Sequence, residues 1–124
     1  MGCFLISTYK DAETAKSISA ALRAEGIATS SQGVNNVVMT DWGLHIYSNI
    51  PSLVNRRSTD KQGFPWKLSE NKNSQATYEK GTCPFADSLF QRSILLAIPS
   101  RLTERDEEGI IYAFRKVLSH FAKS

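Results

Sequence analysis

Histidine and cysteine are scarce here: the 124 residues hold only His45, His120, Cys3 and Cys83. A metal site rich in either is therefore excluded, and no Cys-x-x-Cys or His-Glu-x-x-His spacing occurs. The Gly-rich phosphate loop, the Gly-x-Gly-x-x-Gly turn and the Gly-x-Ser-x-Gly elbow are also absent. No run approaches the ~18 apolar residues that a membrane span needs. The first residues lack the basic stretch, apolar stretch and small-residue cleavage site of a secretory leader, so a cytoplasmic location is expected. Charge of one sign is not concentrated either. The net charge is +3, and the only adjacent basic pairs are Arg56-Arg57 and Arg115-Lys116. A nucleic-acid footprint needs a clustered basic face, so no nucleic-acid partner is expected.

What is present is ordinary for a single globular domain over residues 1–124: 41% hydrophobic and 22% charged residues. In a reducing compartment the two distant cysteines stay free thiols. Cys3 reads as a small core hydrophobe. Cys83 precedes Pro84 at a helix start, where exposed amides lower a thiol pKa, but no basic residue adjoins it in sequence. A thiol enzyme using Cys83 is the weakest of the functional readings. The carboxylates at Asp106-Glu107-Glu108 are explained by the positive end of a helix.

Hydrophobic periodicity orders the two ends of the chain. Cys3 to Tyr9 reads as a strand with apolar residues on both faces, which predicts a central place in a sheet. Asp11 caps a helix whose stripe is Ala12, Ala15, Ile18 and Leu22, closed by Gly26 with Ile27 folding back. Pro84 opens a short helix that places Phe85 and Leu89 on one face. Ser93 to Ile98 is a strand. Thr103 and Asp106 form a capping box ahead of a helix with the stripe Ile110, Ile111, Phe114, Val117, Leu118 and Phe121. The expected fold is a two-layer α/β sandwich, in which a small antiparallel or mixed sheet carries two longer helices on one face.

The middle is less regular. Gly33-Val34-Asn35-Asn36 reads as a turn and Val37-Val38-Met39 as a short apolar run. Gly43 to Asn49 alternates, which predicts a strand with Leu44 and Ile46 on one face and His45 and Tyr47 on the other. That places His45, Tyr47 and Asn49 as candidates for the wall of a ligand cleft. Arg56 to Gln75 is polar, with Gly63-Phe64-Pro65-Trp66 embedded in it. A loop of that length is functional, disordered or covered by something else.

Taken in order, these segments resemble the C-terminal domain of the DegT/DnrJ/StrS-type nucleotide-sugar aminotransferases. Phe4-Leu5-Ile6 followed by Ala15 to Ile27 is similar to the first strand and helix of that family's small domain. Trp42-Gly43-Leu44-His45-Ile46-Tyr47-Ser48-Asn49, Gly63-Phe64-Pro65-Trp66 and Lys80-Gly81-Thr82-Cys83-Pro84 resemble the subgroup that includes pyridoxamine-phosphate-dependent sugar dehydratases. The resemblance implies the small lobe of a type I pyridoxal-phosphate enzyme, a homodimer in its full form, acting on a nucleotide-linked sugar. Its partner would be the large domain that holds the pyridoxal or pyridoxamine 5'-phosphate, expected ahead of residue 1. The Schiff-base lysine, the acid facing the pyridine nitrogen and the phosphate-binding serines have no counterpart in this chain. No catalytic, cofactor-binding or metal-binding residue is therefore carried over, and the chain alone is expected to bind no cofactor and to be inactive. His45, Tyr47 and Asn49 remain as cleft-side residues. A stand-alone α/β protein-interaction module without catalytic activity is the alternative.

Overall fold

A computed structural model describes residues 3–28 and 35–122, apart from the Cys3 side chain. The expected burial of Cys3 and the first half of the turn at Gly33-Val34 lie outside what is described. In chain order the elements are β1 (Cys3–Thr8), α1 (Ala12–Ala24), β2 (Asn35–Val38), α2 (Met39–Trp42), α3 (Pro51–Val54), α4 (Pro84–Gln91), β3 (Ser93–Ile98) and α5 (Glu104–Phe121). Two compact units divide them. One comprises the chain up to Trp42 and from Leu89 onward; the other is Gly43–Ser88.

The first unit is built on a three-stranded antiparallel sheet in the order β1-β3-β2. Leu5 lies opposite Leu96, and Asn36 pairs with Leu96 from the other side. Directly paired residues share a face, so Ile94 and Leu96 turn toward one side of the sheet and Leu95 toward the other. Against the first side pack Ala15, Ile18 and Leu22 of α1 and Ala113 and Val117 of α5. The small-residue stripe of α1 lets its backbone come close to the sheet. Each fully buried Ile or Leu in this layer contributes roughly 2 kcal/mol by leaving water.

Both long helices end as their sequences require. The Asp11 carboxylate accepts the Thr14 amide at 2.7 Å. At the other end of α1, Gly26 takes a left-handed φ of 94°, and the Ile27 amide reaches back to the Leu22 carbonyl at 2.9 Å. That six-to-one bond satisfies a terminal carbonyl. In α5, Thr103 Oγ1 accepts the Asp106 amide while Asp106 accepts the Thr103 amide. Those bonds, backbone first, hold the Asp106 carboxyl below its ordinary pKa. Lys116 of α5 meets Glu25 at 2.8 Å, which raises the amine's pKa.

Two expectations are corrected in this unit. Asn35 and Asn36 belong to β2 rather than to a turn. Asn36 is fully buried: its amide donates to the Ile27 carbonyl, and its oxygen accepts from Ser19 Oγ. A buried amide is tolerated because both its ends are paired. Strand β1 lies at an edge of the described sheet, not at its centre, because β3 takes the middle place. Phe4, Leu5 and Ile6 are consequently 64%, 50% and 55% exposed. The Phe4 ring meets Trp42 at a tilt, with centroids 6.0 Å apart.

Candidate functional site

The second unit carries all three expected cleft residues, and it departs most from the sequence reading. Gly43 to Asn49 is not a strand. Gly43 and His45 both take left-handed backbone, with φ of 70° and 58°, so the extended conformation ends there. Tyr47–Asn49 then forms one 3-10 turn ahead of α3. The alternation of Leu44 and Ile46 misleads because only Ile46 is buried, while Leu44 is 59% exposed.

His45 sits exposed on this turn. The Asn49 amide donates to the Gly43 carbonyl at 3.0 Å and so closes the turn. Tyr47, half-buried, makes the long-range connection. Its hydroxyl donates to the Asp87 carboxylate, 3.0 Å from each oxygen. The same hydroxyl accepts the Cys83 amide at 3.1 Å, and Asp87 also accepts the Gly81 amide at 2.8 Å. Gly81, with φ of 97°, permits the turn that brings its amide there. Tyr47, Asp87 and the amides of Gly81 and Cys83 therefore form one closed polar cluster at the start of α4. It fixes the segment 81–84 and leaves the Cys83 thiol exposed and free of a disulfide. The Tyr47 hydroxyl already donates to a carboxylate and accepts an amide, so it is built to position rather than to transfer a proton.

The polar stretch after α3 is also held by specific bonds. Asp60 Oδ1 accepts the amides of Gly63 and Phe64 at 2.8 and 2.9 Å. Trp66 Nε1 donates to the Arg57 carbonyl at 2.9 Å, and the Asn71 amide to the Pro65 carbonyl at 2.9 Å. Arg56 Nη2 donates to the Ser74 and Ala76 carbonyls. The stretch is thus ordered by its own side chains, and long ordered loops of this kind are often used for function. Sequence periodicity gave no sign of these ties, which span 3 to 20 residues without a repeat. The embedded Gly63-Phe64-Pro65-Trp66 was the visible clue.

Among the described residues no group of three acidic, histidine or cysteine side chains is placed to hold a metal ion. No helix of the described residues is long and apolar enough to cross a membrane. No family model, no curated protein and no solved structure matches this chain.

Proposed function

We propose that this chain is the small C-terminal lobe of a pyridoxal- or pyridoxamine-phosphate-dependent nucleotide-sugar aminotransferase or dehydratase. Its work there is to pack on a large cofactor-binding domain and to shape the substrate cleft. The supporting observation is the apolar strand β1, which the described residues leave largely uncovered. Phe4, Leu5 and Ile6 sit side by side at a sheet edge that carries no charge, proline or bulge. Proteins that leave such an edge open to water normally blunt it by one of those devices. A strand made this way is suited to lie under another body. The antiparallel sheet with α1 and α5 on one face is compatible with the small domain of type I pyridoxal-phosphate enzymes.

The described residues do not fit the cofactor itself. Every described lysine, from Lys10 to Lys116, is exposed, and Lys116 is engaged by Glu25. Specific binding needs a phosphate cradle, a partner for the ring nitrogen and an amine placed to meet the aldehyde. The cofactor is therefore assigned to the other lobe, and no chemical step is assigned to this one. His45, Tyr47 and Asn49 contribute a turn of fixed shape, with Tyr47 bonded to Asp87 and His45 exposed on it.

The test is to isolate the native polypeptide from its source with an antibody raised against this chain. Its intact mass and visible absorbance are then measured. A polypeptide several times longer than 124 residues, carrying a saturable cofactor band, is expected. A native polypeptide of 124 residues with no band would leave the stand-alone interaction module, which uses the same β1 surface, as the function.

A further inference from the structure

The second unit contains a cavity of about 210 Å³ lined by Arg56, Trp66, Asn71, Ser74 and Tyr78. We infer that this cavity is a binding site for a single sugar ring. The inference is independent of the two-lobe proposal, because every group in it lies between residues 56 and 78.

The backbone supplies the first argument. Arg56 follows the end of α3 at the position where a helix usually stops on glycine. The Arg56 amide bonds to the Leu53 carbonyl and the Arg57 amide to the Ser52 carbonyl, the paired bonds of such a stop. Arg56 therefore takes a φ of 45°, a left-handed value that costs a side chain with a Cβ about 1 kcal/mol or more. Glycine would avoid that cost. What the arginine provides is a guanidinium 6.0 Å above the Trp66 ring, tied to the Ser74 and Ala76 carbonyls.

The lining supplies the second. Trp66 and Tyr78 meet nearly edge to face, with centroids 5.9 Å apart, and give the cavity an aromatic corner. Trp66 is fixed by its bond to the Arg57 carbonyl, so the corner is preformed. The polar residues that line it are mixed in what they can offer. Arg56 keeps Nε and Nη1 as donors, Asn71 keeps Oδ1 as an acceptor because its amide nitrogen serves Pro65, and the Tyr78 hydroxyl does both. A carboxylate only accepts, and a phosphate offers at most one or two hydroxyl donors beside its concentrated negative charge, so Asn71 Oδ1 and the carbonyls that already draw on Arg56 disfavour either anion. A sugar hydroxyl both donates and accepts, and the C–H face of a pyranose suits an aromatic wall. The volume suits one ring. This combination of an apolar wall and a few convergent polar groups is what small-molecule sites share.

The experiment uses the full chain with Trp42→Phe, which leaves Trp66 as the only indole reporter. Separate titrations use D-glucose, D-galactose and D-mannose, with inorganic phosphate and acetate as anion arms. A saturable change in Trp66 fluorescence with at least one sugar, and none with either anion, is expected. Adding Tyr78→Phe keeps the aromatic wall and removes one hydroxyl, so it should weaken that affinity about fivefold, the worth of one hydrogen bond. Its far-UV circular dichroism should stay unchanged. No saturable response to any of the three sugars would overturn the site. A response to phosphate or acetate in place of the sugars, or an affinity untouched by Tyr78→Phe, would overturn it as well. Failure of this test leaves the mass and cofactor test of the parent enzyme unaffected, so the two ideas fall separately.

Discussion

The two units of this protein are held by different physics. In the sheet unit, Ile18, Leu22, Ile94, Leu96 and Val117 close a dry layer between helices and strands. In Gly43–Ser88, Ile46 is the one large apolar residue among those described that is buried. There the conformation is set by side chains that bond to main-chain groups 3 to 36 residues away: Tyr47 to Cys83, Arg56 to Ala76, Asp60 to Gly63, Trp66 to Arg57. Apolar burial tolerates many sequences of similar pattern, whereas a set of single bonds depends on each residue in it. The unit with little core is thus the one in which individual residues carry specific shape, as befits a region that forms a site.

The largest expected effect lies in the sheet unit. Leu22→Ala removes a side chain with no exposed surface and should cost about 3 kcal/mol, read as a lower urea midpoint. A cost below about 1 kcal/mol would mean that the layer is not tightly packed. Asn36→Ala comes next, at roughly 2 kcal/mol, because it leaves Ser19 Oγ and the Ile27 carbonyl buried without partners. Substitution without loss would show that water replaces the amide.

In the other unit Tyr47→Phe should cost about 1 kcal/mol, and locally. Hydrogen exchange at the Gly81 and Cys83 amides should speed up, while the amides of β3 stay as they were. Equal acceleration in both would mean that the two units open together. The smallest effect is pH-dependent. The folded Asp106 carboxyl titrates below the ordinary ~3.9, so its cap stabilises α5 fully above that value and is lost as the pH falls through the folded pKa. Thermal midpoints between about pH 5 and pH 2 should therefore fall less steeply in Asp106→Asn than in the unaltered chain. Identical slopes would remove the cap from the acid response.

The same contrast explains what the sequence disclosed. Caps and stripes are local, so α1, α5 and β3 were legible from Asp11, Gly26, Thr103 and the spacing of their apolar residues. The Tyr47–Asp87 link was not, because its partners stand forty residues apart and neither has a local signature. Asn36 read as a turn residue for the same reason: its partners Ser19, Ile27 and Leu96, 9 to 60 residues away, make it a core residue. The alternation at Leu44 and Ile46 was real but brief, and the left-handed backbone of Gly43 and His45 overrode it. In β1 the apolar residues on both faces predicted a central strand, but β3 takes that place, and Phe4, Leu5 and Ile6 stay largely exposed among the described residues.

That uncovered strand is the central structural claim, and the association state of the isolated chain tests it most directly. Analytical ultracentrifugation over a wide concentration range should show reversible self-association, because three neighbouring apolar residues at an open sheet edge seek cover. Ile6→Lys, which places a charge on that edge, should return the chain to a monomer with its circular dichroism unchanged. A strict monomer at every concentration, before any substitution, would contradict the claim that β1 awaits a partner.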